Sequence, residues 1–290
     1  MELPNVVHFQ IVLLGLSSPI EGPNIVHPFL ESNLELIKYA PAFFAVSICF
    51  FMGLGWLFGS YRTGKHGTKS IVVRDSLAAA IYGMSALVLS FTFSNASNHY
   101  DIRNEAVRSQ ANAIKEVHLS TSYLQAADEK SIKKSLLDLL DLRLSAYQDN
   151  KTIDEVNHGT EKISTLVRQI NEDVAKASLS APASKKYLVG EILTPQMRNL
   201  VTVFGAGAIK FKSHPPQLVI HFLYLLLCIG GMLSGYTMAV KNESDWFMAV
   251  IYLLIMGIGL QVILSLENPT LLMPYEEFNK DLLRLKEFIS

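Results

Sequence analysis

Residues 77–124 read LAAAIYGMSALVLSFTFSNASNHYDIRNEAVRSQANAIKEVHLSTSYL, and this stretch decides the architecture. From Leu77 to Ser97 there is no charged side chain, which is about the length a helix needs to cross the hydrocarbon of a bilayer. Beyond Ser97 the composition turns polar, yet apolar residues keep a three-and-four spacing. Ile102, Ala106, Ala113, Val117 and Leu124 fall on one face, with Val107 and Ile114 beside them. Neither Gly nor Pro occurs from Met84 to His158, so nothing stops the helix at the membrane surface. The expectation is one unbroken helix, apolar in its first half and amphipathic in its second.

Such a stripe needs partners, and they follow in order. Ile132, Leu136, Leu139, Leu140 and Tyr147 suit a second helix, and Ile163, Leu166, Val167, Ile170 and Val174 a third. A fourth, entered after Pro182 and kinked at Pro195, offers Met197, Leu200, Val201 and Phe204. These four close a helical bundle standing on the bilayer.

On either side of this domain lie further spans. Ala40 to Ser60 is uncharged and ends in an aromatic and cationic edge of Trp56, Tyr61 and Arg62. After a break at Pro215 and Pro216, Leu218 to Val240 and Trp246 to Leu266 give a third and a fourth span, joined by the polar turn Lys241 to Asp245. The fold class is therefore an all-α membrane protein, with four transmembrane helices and a helical-bundle extramembrane domain inserted between spans two and three. The expected divisions are an N-terminal interfacial segment (1–38), a transmembrane hairpin (39–98), the helical domain (99–214), a second hairpin (215–267) and a C-terminal amphipathic helix (268–290). On that last helix Tyr275, Phe278, Leu282, Leu285 and Ile289 share a side, to pack on the bundle or lie at the interface.

Composition agrees with membrane spans: half of the 290 residues are apolar, with a mean hydropathy of +0.27. The net charge of −1 gives no field to draw nucleic acid, which is not expected as a partner. Both cysteines, Cys49 and Cys228, fall in apolar runs, and the eight histidines show no H-x-x-x-H or H-E-x-x-H spacing. No nucleophile-base set or phosphate loop is present either, so no enzyme, cofactor or metal site is expected. The first residues are led by Glu2 without a basic segment and read as an interfacial helix rather than a cleaved signal.

The face of span two invites two readings. Ala79, Gly83, Ala86, Ser90, Ser94, Ser97 and Asp101 follow at alternating three- and four-residue steps, with Asn95 and Asn98 toward the same end. Small residues let helices approach closely in lipid, and hydroxyls bond their neighbours. Alternatively, in a ring of subunits the same face lines a pore, to which its polarity, rising toward one end, is suited. Gly55 with Gly59, and Gly231 with Gly235, also have the small-xxx-small spacing, and there packing is the expected role. His221 and Gln261 are the notable polar groups of the later spans.

Several of these residues form a recognisable series: Phe91-Thr92-Phe93-Ser94, then Tyr100-Asp101 and Arg103, then Ala111-Asn112-Ala113-Ile114. The series resembles the signature of the bacterial bestrophin-like membrane family, an uncharacterised group. Asp141-Leu142-Arg143-Leu144 is similar to that family's second extramembrane helix. Leu266-Glu267-Asn268-Pro269 stands where the family usually has Asp-Arg-Pro, and so lacks its arginine. By distant similarity to bestrophins, the resemblance implies an oligomeric anion channel, with small inorganic anions as permeant ions and the bilayer and further copies of the chain as partners. Its stalk residues would be Tyr100, Asp101, Arg103, Asn112 and Arg143. It also implies a bacterial inner-membrane location with the helical domain in the cytoplasm. The charges point the other way: the connector with Arg62, Lys65, His66, Lys69 and Arg74 is the more basic, which places it inside and the helical domain on the extracytoplasmic side.

Overall fold

The computed structural model describes residues 39–66, 75–146, 153–212, 217–242 and 246–289. The expected interfacial segment, much of the basic connector and the Pro215-Pro216 break lie outside them. Among the described residues all regular structure is helical. Helix α1 (Ala40–His66) is the first span. Helix α2 (Asp75–Ser120) runs for 46 residues without interruption, about 70 Å at the usual rise. It closes in a short turn, Thr121–Tyr123, where the Thr121 hydroxyl donates to the His118 carbonyl at 2.7 Å.

Helices α3 (Ala126–Ser145) and α4 (Ile153–Leu179) come next. A helical turn, α5 (Lys186–Leu188), then leads through the wider π turn Val189–Leu193 into α6 (Thr194–Lys212). The π turn has a cause in sequence. Pro195 has no N–H and its ring crowds the carbonyl four residues back, and the extra residue of a π turn relieves both. The Thr194 backbone and hydroxyl accordingly donate to the Val189 carbonyl. The later spans are α7 (Gln217–Lys241) and α8 (Trp246–Glu267). All four span helices are long and apolar enough to cross a membrane.

Two cores result. In the extramembrane bundle the second half of α2 packs with α3, α4 and α6 around Ile114, Val117, Leu136, Leu139, Leu140, Ile170, Leu193 and Leu200. Phe278, Leu282 and Leu285 of the tail enter the same core. The tail is three short helices, α9 (Pro269–Leu272), α10 (Tyr275–Phe278) and α11 (Lys280–Ile289). Pro269 and Pro274 stand at the starts of the first two, where a missing N–H costs nothing.

Within the membrane part Ile48, Ala96, Leu223, Leu227, Met256, Leu260 and Ile263 form the second core, while Phe43, Phe50, Leu57, Leu254 and Ile258 face outward. Helices α1 and α7 cross at their glycines. A Cβ at Gly55 would overlap the Met232 carbonyl, and one at Gly235 the Met52 carbonyl. A Cβ at Gly59 would meet that of Ala239 at 2.8 Å. Both small-xxx-small pairs are thus used against each other, backbone to backbone.

Candidate functional site

Helix α2 keeps one orientation over its whole length. Ser85, Thr92, Ala96, Arg103, Gln110, Ile114 and Val117 are buried on one side. Gly83, Ala86, Ser90, Ser94, Asn98, Asp101, Glu105, Arg108 and Asn112 are exposed on the other, with Ser97 half-buried at the edge. The inward hydroxyls close on their own helix: Ser85 donates to the Ile81 carbonyl at 2.9 Å and Thr92 to the Val88 carbonyl at 2.7 Å. The outward face runs from small residues through hydroxyls to amides and charges, with the exposed Leu87 and Phe91 set among them. Asn95 is exposed but stands apart, about 140° around the helix from Ser90.

The stalk residues separate into two groups. Asp101 and Asn112 are exposed, whereas Arg103 and Arg143 are 3% and 2% exposed. Tyr100 lies half-buried against the bundle core. Arg143, on α3, donates through Nε to the Gln110 side-chain carbonyl of α2 at 2.9 Å. Its neighbour Leu144 accepts from the Tyr275 hydroxyl of the tail at 3.3 Å.

Arg103 reaches a different partner. Its Nη1 donates to the carbonyl of Glu267 at 2.8 Å and to that of Leu266 at 3.4 Å. Its Nη2 lies 3.6 Å from the Glu267 carboxylate, and His99 Nδ1 lies 3.2 Å from the other carboxylate oxygen. The buried face of α2 thus carries His99, Arg103 and Gln110 at four- and seven-residue steps. The roles of His99, Gln110 and Glu267 escape sequence reasoning because their partners are distant in the chain. The one local signal is polar groups recurring on an otherwise apolar stripe.

Outside the membrane the tail is held to the stalk by Arg108 and Asp281 at 3.4 Å, Lys286 and Asp141 at 2.7 Å, and Lys115 over the Phe288 ring at 5.0 Å. Inside it, Tyr82 donates to the Gly230 carbonyl at 3.3 Å and meets Tyr252 edge to face, and Ser47 bonds Tyr224. His221 and Gln261 are exposed on their helices. Among the described residues no group of three or more His, Cys, Asp or Glu is placed to hold a metal ion.

Four apolar helices, with a helical bundle built on a continuation of the second, define a class: a multi-pass all-α membrane protein. Among solved structures this arrangement is similar to a bacterial bestrophin homolog from Klebsiella pneumoniae. One point variant of that homolog aligns with a TM-score of 0.62 at 11% identity, covering 85% of this chain and 99% of that one. A second gives 0.61 at 13%, covering 86% and 98%. The fold is bestrophin-like. No protein-family model matches the sequence, and no curated protein matches it.

Proposed function

We propose that the chain is a subunit of an oligomeric ion channel in which the exposed face of α2 lines the conduction path. The observation that carries this reading is the series of polar groups on that face of a span, set beside the apolar Leu87 and Phe91. Ser90, Ser94 and Asn98 point away from the rest of the chain, while Thr92 and Ala96 point into it. A face meeting lipid is expected to be apolar, because hydroxyl and amide groups are costly in hydrocarbon. This one needs water or another copy of the chain, and a ring of copies around an axis supplies both. The bundles then form a vestibule over the path, and the bestrophin-like fold supports the same reading.

For the permeant ion, the resemblance implies small inorganic anions. Farther along the face the charges are mixed, Asp101 and Glu105 with Arg108 3.9 Å from the Glu105 carboxylate, so they do not set the sign by themselves. Planar-bilayer recordings of purified protein test both points. Conduction is expected, with a reversal potential that reports the ion's sign and a unitary conductance lowered by Ser90→Leu or Ser94→Leu. A silent preparation overturns the channel reading.

A silent preparation favours the second reading, a membrane-anchored sensor or scaffold, for which the physical continuity of α2 is the supporting observation. A ligand or partner on the bundle would then shift the spans through that helix.

The proposed orientation follows the basic connector and puts the bundle on the extracytoplasmic side of a bacterial inner membrane. In a chain without Cys49 and Cys228, Glu116→Cys should then react with an impermeant maleimide in intact cells. Protection there, with reaction in broken cells, reverses the orientation.

A further inference from the structure

Where α2 leaves the membrane, its buried face is tied to the end of the fourth span. Glu267, 164 residues after Arg103 in sequence, is the last residue of α8. The carbonyls at a helix end have no intrahelical donors, and the Arg103 guanidinium supplies two N–H contacts to those of Leu266 and Glu267. The same group, with His99, faces a carboxylate whose side chain is 6% exposed. On the far side of the junction the Asn268 amide donates to the Leu264 carbonyl at 3.3 Å, and Pro269 ends the span.

We infer that Arg103 and Glu267, together with His99, form a conformational lock that sets how α2 lies against the fourth span. Its release changes how often the path along α2 is open and leaves the path itself intact. The inference rests on the reading of the exposed α2 face as that path. Three features carry it. The lock is on the side of α2 turned from Ser90 and Ser94, so its groups do not line the path. Arg103 is nine residues from Ser94 on one uninterrupted helix, about 14 Å along its axis, so a tilt at one is felt at the other. The Arg103 and Glu267 side chains are 4% and 6% exposed, and an unpaired buried charge is costly, so the pair resists opening part-way.

Single-channel recording of the full chain in planar bilayers tests the lock, using Arg103→Gln, Glu267→Gln and the double variant. Each single variant should shift open probability by about fivefold or more. The double variant should shift it no further than Arg103→Gln, which also removes the contacts to the two carbonyls, and conductance and reversal potential should stay as in the unsubstituted protein. Arg103→Lys, which keeps the charge but loses the fork of donors, should fall between. Multiplying effects, an altered conductance or an unchanged open probability overturns the lock. If the unsubstituted protein is silent, the channel reading fails and hydrogen exchange decides the lock by itself. Peptides covering 264–272 should then exchange faster in both single variants, more so in Arg103→Gln, and no faster in the double than in Arg103→Gln. Unchanged exchange overturns it.

Discussion

Gly235 and Gly53 lie in the same pair of packed spans and should answer substitution in opposite ways. A methyl group at Gly235 would overlap the Met52 carbonyl and come within 2.9 Å of the Trp56 nitrogen, whereas at Gly53 it would meet nothing within 4 Å. Gly235→Ala should therefore destabilise the detergent-solubilised protein by about 1–3 kcal/mol, as overpacking does, and Gly53→Ala should leave its thermal midpoint nearly unchanged. In the bundle, Gln110→Leu removes the acceptor of a buried guanidinium hydrogen bond. It should cost about 1.5–3 kcal/mol, read from thermal unfolding followed by circular dichroism. The glycine pairs were visible from spacing, because helix geometry alone puts residues four apart on one face. That Arg143 would meet Gln110, and Arg103 the end of the fourth span, was not visible, since nothing local to either arginine encodes a partner on another helix.

As an element, α2 is the part of the fold most legible in the sequence. Helix continuation depends on the absence of breakers and on periodicity, both local properties, and the helix indeed runs from Asp75 to Ser120. Its outward and inward faces also follow from periodicity, apart from Asn95, which a three-and-four count does not place with Ser90 and Ser94. The tail shows the limit. Its apolar residues do share the bundle core, but Pro274 and the turn at Asn279 divide it into three pieces whose directions depend on packing. What holds those pieces can be ranked by magnitude. The ion pairs of Asp281 and Asp141 involve partners about half exposed, and such pairs contribute about 0–1 kcal/mol. Leu282 is fully buried, and truncating a core leucine costs about 2–5 kcal/mol. The double variant Asp141→Asn/Asp281→Asn should accordingly leave the tail resistant to limited proteolysis, and Leu282→Ala should expose it.

At the scale of the whole molecule, the bundle and the membrane part are joined through covalent continuity at α2 and through the junction at Glu267. The extramembrane core is also not contained in the stretch between the second and third spans, since Phe278, Leu282 and Leu285 belong to it. A fragment of residues 99–214 should therefore bind a hydrophobic dye that the intact protein does not, and adding a peptide of residues 268–290 should reduce that binding. A dye-silent fragment would show that the bundle closes without the tail.

The same arrangement imposes an order on biosynthesis. Val107 and Ile114 leave the ribosome well before the two later spans, while Phe278 and Leu282, which complete their core, follow those spans. Until the third and fourth spans and then the tail have been made, the places of Phe278, Leu282 and Leu285 in that core are unfilled. Completion of the bundle core thereby waits on synthesis of both later spans, and a chain that stalls between the hairpins lacks three of its core side chains, leaving apolar surface of the kind chaperones and proteases recognise.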